Sequence, residues 1–204
     1  MINLQHTLDM QPCRKQWRIP GGGIDLQILS DRESIYDDWL TDLQSTINWQ
    51  QPDVHVFGKL HKVPRVCALY GDSRYRYSGQ EQSALGWTET LSKIRNLVEK
   101  WSGCTFNSVL LNQYRNGEDR MGWHADDEPE LGQRPMVVSL SLGASRIIRF
   151  RHKRLHSARF DLQLPHACLL MMHRGMQQCW QHAIPQQSRV SGARISLTFR
   201  DIQD

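Results

Sequence analysis

The chain has 204 residues, 39% of them hydrophobic, and a net charge of +4. That length suits one domain with a sizeable buried core, and so small a charge is by itself weak grounds for a polyanionic partner. No run of about 18 apolar residues is present to cross a membrane, and Met1 to Pro20 lacks the apolar stretch of a secretory signal.

The first thirty residues read as loosely ordered, with Gly21-Gly22-Gly23 marking a turn. A helix is expected to begin near Ser30, where Ser30-Asp31-Arg32-Glu33 has capping-box spacing. Ile35, Trp39, Leu40, Leu43 and Ile47 continue it at helical spacing. Leu69 to Gly79 reads as loops and short strands. A second helix is expected from Thr88 to Ser102, stopped by Gly103. Short β-rich runs follow over Ser108–Tyr114, Met136–Leu142, Arg146–Arg151, Ala158–Leu164, Cys168–Met172 and Arg194–Arg200. The fold class is therefore mainly β with flanking helices (α+β), a sandwich or jelly roll carrying an N-terminal appendage.

Five cysteines with no C-x-x-C pair point to reduced thiols in a cytoplasmic or nuclear setting, packed as small apolar residues. Two groups are basic: Arg146, Arg149, Arg151, Lys153 and Arg154 beside His152 and His156, and Lys59, His61, Lys62 and Arg65. Each is either a solvated sheet face or a phosphate-contacting surface.

Side chains two apart in a strand point the same way, so His124-x-Asp126 presents two metal donors to one point. His182 is the natural third donor, with His152, His156, His166 and His173 as alternatives. Two histidines and a carboxylate cover one face of an octahedral ion and leave the other open, although zinc accepts the same set. Arg194-x-Ser196-x-Thr198-x-Arg200 places two arginines on one strand face. Buried like charges need anions, and a dicarboxylate supplies two. Asn112 and Tyr114 can add polar contacts from another strand.

Together, Asn112-x-Tyr114, Trp123-His124-x-Asp126-Asp127-Glu128, Ser139-Leu140-Ser141-Leu142-Gly143, His182 and Arg194…Thr198-Phe199-Arg200 resemble the AlkB family. These are iron(II)- and 2-oxoglutarate-dependent dioxygenases that repair alkylated bases. The resemblance covers Val54 to Asp204, about three quarters of the chain. It implies a double-stranded β-helix (jelly-roll) core over 104–204, with 1–103 forming an extension of helices and a substrate lid within a single domain. It also implies that His124, Asp126 and His182 bind Fe(II), and that Asn112, Tyr114, Arg194, Thr198 and Arg200 hold 2-oxoglutarate. Arg194 would take the distal carboxylate and Arg200 the oxo-acid end. Family members usually carry Asn where this chain has Ser196.

For substrate, the resemblance implies that Tyr75 and Tyr77 line the lid and that Glu128 meets an exocyclic amino group. Arg65 would brace Asp127. Val56-Phe57-Gly58-Lys59 is similar to the finger of the branch acting on double-stranded DNA, with Phe57 as the wedge. Two features depart from that branch: a short connection after Arg151-His152-Lys153-Arg154, and Gln187-Ser188-Arg189 in place of a basic triplet. The expected function is oxidative demethylation of bases such as 1-methyladenine and 3-methylcytosine after base flipping, releasing formaldehyde. Expected partners are alkylated DNA, double- or single-stranded, and O2, with no membrane, and the chain is expected to be a monomer. The alternatives are the same chemistry on RNA, a nucleic-acid-binding module with a degraded site, and a zinc hydrolase.

Overall fold

A computed structural model describes residues 14–29, 34–56, 59–72, 74–77, 80–83 and 85–203, without the side chains of 55–59 and 73–84. The N-terminal half contains β1 (Arg14–Ile19), β2 (Gly22–Ile28), α1 (Ile35–Thr46), β3 (Asp53–Val56), β4 (Lys59–Lys62), β5 (Val66–Gly71), β6 (Arg74–Tyr77), β7 (Gln80–Ser83) and α2 (Glu89–Ser102). The rest comprises β8 (Ser108–Tyr114), β9 (Met121–His124), β10 (Val137–Gly143), β11 (Arg146–His152), β12 (Arg159–Leu164), β13 (Cys168–Met172), α3 (Met176–Cys179), β14 (Trp180–Ile184) and β15 (Arg194–Arg200).

The larger sheet has seven strands in the order β1-β2-β13-β10-β15-β8-β5, and the smaller has four in the order β12-β11-β14-β9. Between them lies one core, to which Leu26, Leu170 and Met172 contribute from the large sheet and Ile148, Phe150 and Ile184 from the small. The outer face of the large sheet buries a second core against the helices, including Leu43, Ile94, Val98, Leu140, Ile195, Leu197 and Phe199. The two-residue period of β15 thus sends its apolar residues to the helices and Arg194, Ser196, Thr198 and Arg200 into the space between the sheets. This is a jelly roll with helices on one face, as the strand pattern predicts.

Helix α2 follows its sequence signals closely. Thr88 caps it, its hydroxyl accepting from the Leu91 N–H at 3.2 Å, and Gly103 ends it in the left-handed region at φ +69°. Thr88→Ala should cost about 1 kcal/mol, read as a small fall in the urea midpoint at unchanged slope. For α1 the capping box lies outside the described residues; the helix starts at Ile35, after Ser34, whose side chain makes no capping bond.

Two expectations change. Residues 14–28 are not loose: β1 and β2 form a hairpin on the large sheet, with β2 paired to β13. With β5, they make three of its seven strands precede residue 104, so this region is more than an appendage packed on the sheet. Polar alternation hid β1, because Arg14, Gln16 and Arg18 converge on the fully buried Asp25. Arg146, grouped by sequence with a basic surface, is completely buried. It donates to the carbonyls of Asn116 (2.9 Å), Asp119 (2.8 Å) and Pro185 (2.8 Å), joining two loops beside the inter-sheet space. Arg65 is likewise buried, and Lys62 pairs with Asp53 at 3.0 Å.

Candidate active site

β9 and β14 pair so that His124 lies directly opposite His182, their ring centroids 4.2 Å apart. Asp126 follows the end of β9, with Oδ2 3.6 Å from His182 Nε2. Donor atoms of the three residues all lie within 4.8 Å of one another. The competing histidines are engaged elsewhere or exposed. His166 Nδ1 accepts from the Gly143 N–H, His152 Nδ1 accepts from the N–H groups of Arg154 and Leu155, His173 sits beside Asp25, and His156 is exposed.

Each ligand is prepared chemically. His124 Nδ1 is 2.9 Å from the carbonyl of Gly122. A carbonyl can only accept, so Nδ1 carries a proton, which leaves Nε2 as the ring nitrogen able to ligate. Burial pushes His182 down to about 3, helped by neighbouring His124, so the ring is neutral and able to ligate. Burial resists ionisation of Asp126, but the Arg200 guanidinium, the largest opposing influence, helps hold the carboxyl below its ordinary value. Arg200 Nη2 donates to Asp126 Oδ1, whereas Oδ2 is buried without a hydrogen-bond partner. An uncommitted carboxylate oxygen beside two imidazoles fits a divalent iron ion.

The same cavity is lined by Asn112, Tyr114, Arg194, Ser196, Thr198 and Arg200. Register explains this: Asn112 pairs with Ser196 and Tyr114 with Arg194 across β8 and β15. Arg65 Nε donates to Asn112 Oδ1 at 2.7 Å, which leaves the amide nitrogen as the donor Asn112 can offer. Arg194 is 1% exposed. Its Nη2 reaches Ser141 Oγ at 2.7 Å and Ser196 Oγ at 3.4 Å, while buried Nε and Nη1 have no hydrogen-bond partner. The nearby Cys168 thiol does not serve as counter-ion, because burial pushes it up to about 12. A buried guanidinium with two unbonded nitrogens fits a carboxylate and argues against a zinc hydrolase, which has no need of one.

The parts that Ser141, Gln177 and Lys153 play in this region escaped sequence reasoning. Ser141 lay within a motif already noted. Gln177, whose Oε1 accepts the Asp126 N–H at 3.0 Å, carried no signal. Asp127 is held by Lys153 Nζ at 2.9 Å. Glu128 has Oε2 buried and without a hydrogen-bond partner and Oε1 3.9 Å from Arg200 Nη1. Phe57 lies outside the described residues, as do the side chains of Tyr75 and Tyr77, whose backbones form part of the β6–β7 hairpin.

The chain belongs to the 2OG-Fe(II) oxygenase superfamily, whose family model matches residues 27–200. Fe(II) and 2-oxoglutarate are accordingly its cofactor and cosubstrate, and the donor set fits both. The AlkB-like reading of the motifs stands. The chain is 42% identical to DNA oxidative demethylase ALKBH2 of Homo sapiens over 158 residues, 73% of this chain and 60% of that protein. The Bos taurus ALKBH2 is also 42% identical, over 73% of this chain and 57% of that protein. Human alpha-ketoglutarate-dependent dioxygenase alkB homolog 3 is 35% identical over 81% of this chain and 61% of that protein. The chain thus spans about three fifths of these relatives. It shares its fold with a solved structure described as "The structure of OsALKBH1", at TM-score 0.62 and 15% identity, covering 92% of this chain and 100% of that one.

Proposed function

We propose that the chain is an oxidative DNA demethylase acting on N-alkylated bases such as 1-methyladenine and 3-methylcytosine. The observation that carries it is the buried Arg194 guanidinium, whose Nε and Nη1 have no hydrogen-bond partner, lining the same cavity as a complete His–Asp–His triad. Similarity to enzymes named DNA oxidative demethylase supports the substrate.

In this reading His124, Asp126 and His182 hold Fe(II), and Arg194 binds the distal carboxylate of 2-oxoglutarate. Asn112, Tyr114 and Thr198 supply further polar contacts. Arg200 holds one oxygen of Asp126 and keeps the other turned to the metal, at the oxo-acid end. The bound iron supplies the oxidant from O2 and 2-oxoglutarate that hydroxylates the N-alkyl carbon, after which formaldehyde departs. The protein's own work is to fix the cosubstrate, exclude water with the apolar walls of Leu110, Ile148 and Leu164, and present the base. The buried Oε2 of Glu128 suits the amino group of a flipped adenine or cytosine. By family resemblance Tyr75 and Tyr77 line the lid, Tyr77 stacks on that base and Phe57 fills the space it leaves; Arg65 itself donates to Asn112. Asp127 has Lys153 as its partner. The described residues act as one domain and one copy, in a reducing compartment, cytoplasmic or nuclear. No described helix is long and apolar enough to cross a membrane.

The test is formaldehyde and succinate release from oligonucleotides carrying 1-methyladenine, with iron and 2-oxoglutarate each omitted in turn. Turnover on duplex and single-stranded DNA, dependent on both, is expected. Strict preference for RNA would replace this reading with its alternative.

A further inference from the structure

Behind the triad, a second polar set grips the loop that carries Asp126. Lys153, just past β11, places Nζ 2.9 Å from Asp127 Oδ2 and 2.8 Å from the backbone oxygen of Gln177. Gln177 lies in α3 and is 1% exposed. Its Oε1 accepts the backbone N–H of Asp126 at 3.0 Å and its Nε2 donates to Met172 Sδ at 3.4 Å. The turn after β11, the loop after β9 and α3 are thereby fastened at one point. α3 runs directly into β14, which carries His182. Two of the three ligands therefore hang from elements that Lys153 and Gln177 join.

Lys153 belongs to a basic run that reads as a phosphate-contacting surface, but it differs from its neighbours. Arg149, Arg151 and Arg154 are exposed, whereas the Lys153 side chain is 29% exposed and two of its three N–H donors are already used. Pulling it toward a phosphate would break both bonds and release Asp127.

We propose that Lys153 and Gln177 are positioning residues that set the Asp126 loop for metal binding, and that Lys153 is not a nucleic-acid contact. This rests on the assignment of His124, Asp126 and His182 as metal ligands. Groups outside the ligand set that orient a ligand commonly contribute 10- to 100-fold to metal affinity. A lysine on phosphate instead contributes about one unit to the salt dependence of DNA binding.

Co(II), whose visible absorption reports its ligands, is titrated into the full chain and the variants Lys153→Met, Lys153→Arg, Gln177→Met and Asp126→Ala. Binding of a 1-methyladenine duplex is measured by fluorescence anisotropy over a salt series. Lys153→Met and Gln177→Met should each bind Co(II) about tenfold more weakly. Lys153→Arg, which keeps donors, should recover part of the loss, and the salt slope of Lys153→Met should equal that of the wild type. Unchanged Co(II) affinity in both Met variants, with Asp126→Ala losing Co(II), overturns the brace and leaves the metal assignment standing. Asp126→Ala binding Co(II) normally overturns the assignment itself. A salt slope lower by about one in Lys153→Met makes the lysine a phosphate contact. Should the buried Gln177→Met not fold, the half-buried Lys153→Met decides the matter alone.

Discussion

Arg194→Met is expected to raise the 2-oxoglutarate concentration for half-maximal turnover by about 100-fold or more, while the ligand-free protein loses no stability. The two effects have one origin. In the ligand-free chain the guanidinium is buried, its Nε and Nη1 have no hydrogen-bond partner, and burial depresses its pKa below the ordinary arginine value. Replacing such a charge with a side chain of similar volume removes a desolvation cost that offsets the loss of the Nη2 bonds to Ser141 and Ser196. With 2-oxoglutarate present the balance reverses. A buried carboxylate left without its cation costs roughly 2–5 kcal/mol, which corresponds to the stated loss of affinity. Thermal unfolding with and without 2-oxoglutarate reads both: Met at this position should keep the ligand-free midpoint and abolish the ligand-induced rise. A variant that unfolds earlier but still responds to 2-oxoglutarate would assign Arg194 to the fold instead.

Asp25→Asn is expected to destabilise the chain by about 2 kcal/mol at neutral pH and to remove part of its acid sensitivity. Asp25 is 0% exposed. It accepts from Arg14 Nε (2.9 Å), Gln16 Nε2 (2.8 Å) and Arg18 Nη1 (3.3 Å), and His173 Nε2 lies 2.8 Å away. Burial resists its ionisation, but His173, Arg14 and Gln16 outweigh that and bring the carboxyl from 3.8 to about 2. A depressed folded-state value means the stabilisation is complete above the unfolded value and is lost as pH falls through the folded one, here from about 4 to about 2. The outer arginines are partly exposed and solvent weakens their share, so the figure stays near 2. Urea unfolding at neutral pH and near pH 2.5 checks it: the gap between wild type and variant should narrow in acid. A gap independent of pH would mean that packing, not charge, is what Asp25 contributes.

Much of the site was legible because its signals are local. β8, β13 and β15 have the bounds that alternation and punctuation give, and alternation in β15 already separates Arg194 and Arg200 from Ile195, Leu197 and Phe199. What stayed hidden depends on partners far along the chain. Arg14, Gln16 and Arg18 look like solvated residues until Asp25 and His173 are seen between them. Arg146 resembles its exposed neighbours Arg149 and Arg151, yet carbonyls from two separate loops let it be buried. Gln177 has no motif at all, because what ties it to the site is a bond to a backbone 51 residues away. The lid and wedge residues were read from family resemblance, and the described side chains do not include them.

The pairing of His124 with His182 has a mechanical side. β9 has four residues, it is the edge strand of the small sheet, and its register with β14 slips between His182 and Ile184. Such a margin frays readily, since few backbone bonds hold it. An ion bound by both histidines would cross-stitch it to the next strand at its frayed seam, so the oxidant's seat and the border of the sheet would tighten together. Amide hydrogens of residues 121–124 should then exchange more slowly once metal is added, with those of β10 little changed.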